Sequence, residues 1–504
     1  MAQPPQVELH HSEHYQEDGS FNEILVDSLK KTPWFMTSVA IHLLAFFILS
    51  QMEFGKRTVS GDAEIEASLE EKVLEEIEEI EEEIIEEEIV EEEEIEPELT
   101  DQEEQVDEEF DALNEGEDES DEPFDGKESN ELLGLGGGAG GAFGGRRGGR
   151  GKKGGKAAVE AVEWGLQWLA RHQSEDGSWD CDGFMYNCDE DPLSDGPGYP
   201  AHDPGVTGLS LLAFLGAGYT HDSGKYKDTV KSGLQWLRNQ QDPEGCFGQR
   251  TIDQFTYGHA ICALAMAEAY GLTSSPLFKR YAQKGLDFVH ACKNPYKAWR
   301  YGVKPGENDT SVTGWMIMAM KSGDAAGLDI NKKDYLEVAD FIDEVTDDFG
   351  HVGYQVRGIG PVRPVGKEEE FPAQLSESLT AVGMLCRVFI GEDPSTSDPI
   401  KKGAKRCLDN PPKWEEKHLD FYYWYYGTLA MFQVGGPQWE SWNKEMKKAI
   451  IDQQIREDGC DKGSWAPVDA WGEEGGRVYS TSLLTMCLEV YYRYGRVFGA
   501  KSKK

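Results

Sequence analysis

Three carboxylates stand at the start of apolar, helix-like runs in the C-terminal part of the chain. They are Asp203, Asp309 and Glu377. A carboxyl group in an apolar pocket keeps its proton to a higher pH than it does in water, and it can then act as a general acid. Aspartate is also a good helix N-cap, and Asp203 is followed by a proline that favours a helix start. Each carboxylate is therefore either a proton donor or a structural cap.

Aromatic and polar residues stand in the same apolar runs. They are Tyr257, His259, Thr313, Trp315, Tyr423, Tyr426 and Tyr479. The faces of Tyr and Trp rings can hold an apolar ligand or stabilise a cation. We therefore predict a ligand-binding cavity formed by these residues. For His259, which lies in a long apolar helix, a hydrogen-bonded position in the core is the alternative.

Metal-ligating residue types show no recognised spacing. The nine cysteines include no C-x-x-C pair. The loop at residues 180–195 is rich in aspartate but lacks the regular spacing of an EF-hand. Cys181 and Cys188 flank part of this loop and could pair in an oxidising compartment. We predict neither a metal nor a cofactor.

A repeated motif positions these residues. Residues 165–179 contain Gly165, Trp168, Gln173, Gly177 and Trp179, and residues 233–247 contain Gly233, Trp236, Gln241, Gly245 and Phe247 at the same offsets. Each copy has the pattern of an amphipathic helix, a turn that uses glycine at positive φ, and an aromatic residue. Residues 449–465 contain a looser copy with Gln454, Gly463 and Trp465. Matching offsets of this kind indicate a repeat fold.

From residue 157 onward, amphipathic helices alternate with more apolar helices rich in small residues. The amphipathic helices are predicted to begin near residues 157, 231, 281, 335, 401 and 442, and the apolar helices to span 205–218, 256–270, 311–322, 379–390, 421–434 and 479–494. Six such hairpins can close into a ring with the apolar helices as its inner wall. The carboxylates and aromatic residues would then meet at one mouth of the ring.

The motif resembles the Gln-Trp repeat of the squalene–hopene and oxidosqualene cyclases, and more loosely that of the prenyltransferase beta subunits. The resemblance covers residues 157–499, with degenerate copies near 288–302, 341–354 and 403–414. It implies an all-α fold, namely a single (α/α)6 toroid of six helical hairpins. An apolar or isoprenoid ligand is the substrate class that it implies.

The catalytic motifs of these families are missing from the sequence. Cyclases of this type use an Asp-x-Asp-Asp acid, and the chain contains no such motif. The resemblance to prenyltransferases would imply a zinc site with an Asp-x-Cys pair and a later histidine. Asp458 and Cys460 supply the pair, but residues 479–494 contain no histidine. A toroid that binds a ligand or a protein without catalysis is therefore favoured, and a cyclase-like or prenyltransferase-like enzyme is the alternative.

Residues 34–53 form an apolar run of about the length that spans a bilayer. We predict a single transmembrane helix after a disordered tail at residues 1–33. The run resembles the anchor of TonB-like energy-transducing proteins, which implies a cytoplasmic N-terminus and a toroid outside the cytoplasmic membrane. His42 within the run is either a functional group of a TonB-like transducer or a tolerated polar residue.

Two low-complexity segments join the predicted membrane helix to the toroid. Residues 54–130 carry most of the net charge of -45 and are predicted to be a disordered acidic spacer. A coiled coil with a basic protein partner is the alternative for this spacer. Residues 131–156 are rich in glycine and arginine and are predicted to be a flexible linker. The acidic balance argues against nucleic-acid binding.

Overall fold

The computed structural model of the protein describes residues 155–493. The predicted tail, the predicted membrane helix with His42 and the acidic spacer lie outside the described residues, as does nearly all of the Gly-rich linker. The TonB-like hypothesis depends on His42 and therefore stays a prediction. Between residues 155 and 493, no helix combines the length and the apolar character needed to cross a membrane.

Twelve long helices, followed by a short one, make up six hairpins between residues 155 and 493. In chain order they are α1 (Lys156–Arg171), α2 (Asp203–Gly216), α3 (Lys227–Asn239), α4 (Phe255–Thr273), α5 (Pro276–Cys292), α6 (Thr310–Ala325), α7 (Lys333–Val345), α8 (Ser378–Ile390), α9 (Asp398–Asp409), α10 (Phe421–Val434), α11 (Gly436–Ile451), α12 (Gly472–Leu488) and α13 (Val490–Arg493). This part of the chain has isolated β-bridges but no β-strand, so the predicted all-α class is confirmed for it. The last inner helix starts earlier than predicted and is interrupted at Gly476, where φ is 65°.

The even-numbered helices α2 to α12 form a closed inner ring. Each of them contacts the next one along the chain, and α12 packs against α2. The odd-numbered helices α1 to α11 form the outer layer, and each packs on one or two inner helices. Helix α1 contacts both α11 and α12, so the first and last hairpins meet at a seam. This arrangement is an α toroid.

The pattern of apolar residues accounts for the two layers. In α3 the buried residues Val230, Gly233, Leu234 and Leu237 recur at steps of three and four, which gives one apolar stripe. In α4 nearly every residue between positions 259 and 269 is buried. A helix with one apolar stripe is stable at the periphery, whereas a helix that is apolar on every side must be surrounded.

The glutamine of the repeat joins one hairpin to the next. The Gln173 amide donates to the carbonyl oxygen of Gly177 in its own turn and to that of Thr229 in α3, both at 2.9 Å. Equivalent pairs of bonds run from Gln241 to Gly245 and Tyr281, and from Gln454 to Gly463 and Ala161. The pair made by Gln454 reaches α1 and therefore closes the ring.

The turn glycine of each copy tolerates no side chain. Gly177, Gly245 and Gly463 have φ values of +95°, +96° and +95°. A Cβ atom on any of them would lie 2.2–2.3 Å from a carbonyl oxygen of an adjacent outer helix. The outer helices therefore approach these turns as closely as a glycine permits.

In the copies that end in tryptophan, the indole locks the turn onto its helix. The indole Nε1 of Trp179 donates to the carbonyl oxygen of Leu169 at 2.8 Å, and that of Trp465 donates to Ile450 at 2.8 Å. Trp299, in a copy that looked degenerate, makes the equivalent bond to Val289. The structural role of the motif is therefore kept in a copy whose sequence has drifted.

The remaining repeat residues hold the helices close together. A Cβ atom on Gly165 would lie 2.4 Å from Thr485 Oγ1, and one on Gly233 would lie 2.9 Å from Leu211 Cδ2. Trp168 is fully buried. Trp236 is only half-buried, and its Nε1 donates to Asp176 in the turn of the first copy at 3.0 Å. The two tryptophans of the motif therefore have different environments.

Candidate functional site

A cavity of about 610 Å³ lies at the N-terminal ends of the inner helices. All six inner helices contribute to its wall, together with the loops that precede them. The aromatic part of the wall consists of Tyr199, Phe247, Phe255, Tyr257, Tyr301, Trp315, Tyr354, Tyr422, Trp471 and Tyr479. Val362 and Val365, in the loop before α8, are exposed and lie at the rim.

Of the seven residues predicted to form the cavity, Tyr257, Trp315 and Tyr479 line it. Tyr423 and Tyr426 are buried in α10 behind the wall. The Tyr423 hydroxyl donates to the carbonyl oxygen of Asn410 at 2.8 Å. The Tyr426 ring packs edge-on against Trp315, with 5.4 Å between ring centroids. These two tyrosines support the wall but do not form it.

His259 and Thr313 lie on the faces of α4 and α6 that point away from the cavity. His259 Nδ1 accepts a hydrogen bond from the backbone N–H of Phe247 at 3.1 Å. Thr313 Oγ1 accepts one from the backbone N–H of Trp299 at 3.3 Å. Burial lowers the pKa of His259 to about 3, so its imidazole is neutral. Each side chain therefore binds the backbone of the aromatic residue that ends a repeat copy.

Asp309 is the N-cap of α6, and only one of its oxygens makes the cap. Oδ1 accepts from the backbone N–H of Val312 at 2.8 Å. Oδ2 is buried and accepts no hydrogen bond of good geometry among the described residues. Burial raises the pKa of Asp309 to about 7, although the Tyr354 hydroxyl is near enough to act in the opposite direction. A carboxyl group in this state can keep its proton at neutral pH, as the general-acid role requires.

Tyrosines of the cavity wall surround Asp309. Burial raises the pKa of Tyr257, Tyr301, Tyr354 and Tyr422, and the negative charge of Asp309 raises these pKa values further. Tyr301 and Tyr354 share a hydrogen bond of 2.6 Å between their hydroxyls. Asp309 is fully buried and does not itself line the cavity. The tyrosine hydroxyls therefore stand between the carboxyl group and the cavity.

The other two predicted carboxylates are engaged elsewhere. Glu377 accepts two hydrogen bonds from Arg406, at 2.7 and 3.0 Å, and one from Thr380 at 2.7 Å. Asp203 Oδ1 accepts from the backbone N–H of Cys181 at 2.8 Å, and burial raises the pKa of Asp203 to about 6. Neither Glu377 nor Asp203 lines the cavity.

A second buried carboxyl group, Asp469, has no counterpart among the residues predicted from the sequence. Its Oδ2 accepts from the backbone N–H of Phe421 at 2.9 Å and from the Tyr479 hydroxyl at 3.3 Å, while Oδ1 is buried without a partner in the described part of the chain. Burial and then the charge of Asp420 raise the pKa of Asp469 to about 8. Its residue type and spacing do not distinguish it from the many surface aspartates.

This shift makes Asp469 a source of pH-dependent stability. An aspartate titrates near 3.8 in the unfolded chain and near 8 here. Between these pH values the folded protein holds a proton that the unfolded chain has lost, so the contribution to stability falls as the pH rises. Thermal unfolding at pH about 5 and about 8.5 should show that Asp469→Asn gains stability relative to wild type as the pH rises. A constant difference between the two proteins would contradict the shift.

Metal-ligand side chains cluster at two places in the described part of the chain. One cluster is His172, Cys188 and Cys460, and the other is Asp180, Asp182 and Asp203. All nine cysteines are free and buried, so Cys181 and Cys188 do not pair. Asp458 is exposed and pairs with Lys462 at 2.6 Å. Asp458 and Cys460 therefore do not form a common metal site.

The chain is similar to known proteins in sequence over a limited length. It is 27% identical over 178 residues to a squalene–hopene cyclase from Bradyrhizobium diazoefficiens, a match that covers 32% of this chain and 25% of the cyclase. The match therefore spans about a quarter of the length of that enzyme. No protein-family model matches the chain.

Solved structures with a similar course of the chain belong to several enzymes. A type II terpene cyclase from Scytonema in complex with merosterolic acid A has a TM-score of 0.43 at 10% identity, with 67% of this chain and 96% of that chain covered. An alpha-1,6-mannanase from Salegentibacter has a TM-score of 0.45 at 10% identity, with 67% and 99% covered.

Proposed function

We propose that the toroid binds an apolar ligand of the isoprenoid class in the cavity at the N-terminal ends of its inner helices. The observation that carries this proposal is the aromatic wall around a volume of about 610 Å³. Cavities of roughly 300–1,000 Å³ are typical of small-molecule sites. The local sequence similarity to a squalene–hopene cyclase supports the ligand class.

The polar groups of the wall favour an apolar ligand over a sugar. The Tyr301 and Tyr354 hydroxyls bond to each other at 2.6 Å, and the Ser311 and Tyr422 hydroxyls bond to each other at 2.7 Å. Because each pair of hydroxyls shares one hydrogen bond, these groups are partly satisfied within the wall, which presents mainly ring faces and aliphatic groups. A ligand rich in hydroxyls would need free donors and acceptors in their place.

The first test is to extract lipids from the full-length protein purified from its own host and to identify them by mass spectrometry. An isoprenoid lipid at about one molecule per chain is the expected result. Its absence, together with the absence of any squalene binding to the purified protein, would contradict the proposal.

Replacing Tyr257 by alanine should weaken squalene binding by about tenfold, because a ring contact contributes roughly 1 kcal/mol or more. Tyr281→Ala is the matched control, since Tyr281 is also half-buried but lies on α5, away from the cavity wall. Binding of labelled squalene by both variants is the measurement. Equal losses in both would show that Tyr257 has no special role.

A second candidate function is acid-initiated chemistry on the bound ligand. The observation that favours it is the free, buried Oδ2 of Asp309 in a carboxyl group whose pKa is raised to about 7. A proton passed from Asp309 through an intervening tyrosine hydroxyl to a carbon–carbon double bond would leave a carbocation, which the surrounding ring faces would stabilise. The carboxylate would recover a proton by the same route when the cation loses one from a neighbouring carbon.

A further inference from the structure

A cluster of soft metal ligands lies at the seam of the ring. His172 follows α1, Cys188 lies in the loop between α1 and α2, and Cys460 lies in the loop between α11 and α12. Their ligand atoms all lie within 4.8 Å of one another, and all three residues are buried. His172 Nε2 lies 3.1 Å from Cys460 Sγ, across 288 positions of sequence.

The imidazole of His172 is oriented as it is in metal sites. Its Nδ1 lies 2.8 Å from the carbonyl oxygen of Trp168. A carbonyl oxygen only accepts, so Nδ1 carries the hydrogen and the lone pair of Nε2 faces the thiols. The ring also stacks on Trp168, with 4.1 Å between centroids, and lies edge-on to Phe184. Metal-binding histidines are held by such a bond from their second nitrogen.

Two arginines lie near the cluster. Arg171 donates to the carbonyl oxygen of Lys462 at 3.0 Å, and this bond holds its guanidinium beside the loop of Cys460. Arg477 is buried on the same side, 3.4 Å from Asp461. A divalent cation bound by two thiolates and a neutral imidazole would add no net charge to this buried position.

We propose that His172, Cys188 and Cys460 form a zinc site. Two thiolates and one imidazole are ligands that zinc prefers. Zinc–ligand bonds of about 2.0–2.3 Å place tetrahedral ligand atoms roughly 3–4 Å apart. The three ligand atoms here lie within 4.8 Å of one another, so at most small side-chain movements would complete the site. Binding replaces two thiol protons by two Zn–S bonds and releases both protons to solvent. A water molecule would fill the fourth position.

The position of the site indicates a structural role, although three protein ligands and a water are more usual for catalytic zinc. It joins the first hairpin to the last one, where the Gln454 bond to α1 also closes the ring. None of its three ligands lines the cavity. A metal bound only by the closed ring stabilises that ring in proportion to its binding free energy. Zinc would therefore hold the seam shut and take no part in chemistry at the cavity.

The test uses the full-length chain, purified in detergent and a thiol reductant with a tag free of histidine. Elemental analysis should find about one zinc per chain in the wild type. Cys460→Ala and Cys188→Ala should lose it. Cys292→Ala is the matched control, because Cys292 is equally buried but lies in α5, outside the cluster. It should keep the metal.

Cobalt(II) reports thiolate ligation directly, because a misfolded protein without the site does not give thiolate charge-transfer absorption. Cobalt(II) added to the metal-free protein should give thiolate charge-transfer absorption in the wild type and in Cys292→Ala, and not in Cys460→Ala. Chelation of the wild-type metal should lower its unfolding temperature to that of Cys460→Ala. A Cys188–Cys460 disulfide found by mass spectrometry without reductant, or a metal-free wild type that gives no cobalt spectrum, would overturn the proposal.

Discussion

Under the acid-initiated chemistry proposed above, replacing Asp309 by asparagine should reduce turnover of an isoprenoid substrate by about 100- to 10,000-fold, the range expected when a general acid is lost. Asparagine is as good an N-cap as aspartate, so α6 should still form. Its amide oxygen can accept the bond from Val312 that Oδ1 now accepts. The loss should therefore appear in turnover and not in folding. Product formation from squalene by the purified full-length protein is the measurement.

Asp469→Asn is the matched control for that experiment. Asp469 is also a buried carboxyl group with a raised pKa and one free oxygen. It contacts the cavity wall through the Tyr479 hydroxyl. Turnover that survives in Asp469→Asn and fails in Asp309→Asn would single out Asp309 as the acid. Unchanged turnover in Asp309→Asn would refute the acid role, and a wild type that binds squalene without product would leave ligand binding as the function.

Trp465→Ala should destabilise the toroid by about 3–5 kcal/mol, the usual cost of removing a buried tryptophan. Trp465 is fully buried, donates to the carbonyl oxygen of Ile450, and lies 3.3 Å from the position that a Cβ atom on Gly165 would take. Its loss would leave a cavity between α1 and the last hairpin. Thermal unfolding of the full-length protein is the measurement.

Trp236→Ala is the control for this prediction. Trp236 belongs to the same repeat but is half-buried, and its indole nitrogen bonds to an aspartate near the surface. Its removal should cost clearly less than the removal of Trp465, because less apolar surface returns to water. Equal destabilisation by the two substitutions would refute the idea that the seam depends on Trp465.

The sequence by itself determined the class of the fold and the two layers of helices. Apolar stripes at steps of three and four place α3 at the periphery, and the fully apolar α4 must lie inside. These patterns depend on neighbours within about four positions, which a helix brings together wherever it packs. The offsets from Gln173 to Gly177 and Trp179 likewise encode a local turn.

The cavity wall could be predicted only in part, because an inner helix has no polar side that marks its orientation. Tyr257 and His259 are two positions apart on α4, and Thr313 and Trp315 are two positions apart on α6. Two positions turn a helix by about 200°, so one member of each pair faces the cavity and the other faces the repeat turns. The composition of an apolar helix does not show which member of each pair faces the cavity.

The burial of Asp469 and the seam cluster were decided by tertiary structure alone. The environment of Asp469 depends on Phe421 and Tyr479, which reach it from α10 and α12. His172 and Cys460 meet because the ring closes, and no spacing along the chain records that contact. Periodicity reports which residues one helix brings together, whereas the desolvation that shifts a pKa and the convergence that builds a metal site depend on which helices meet.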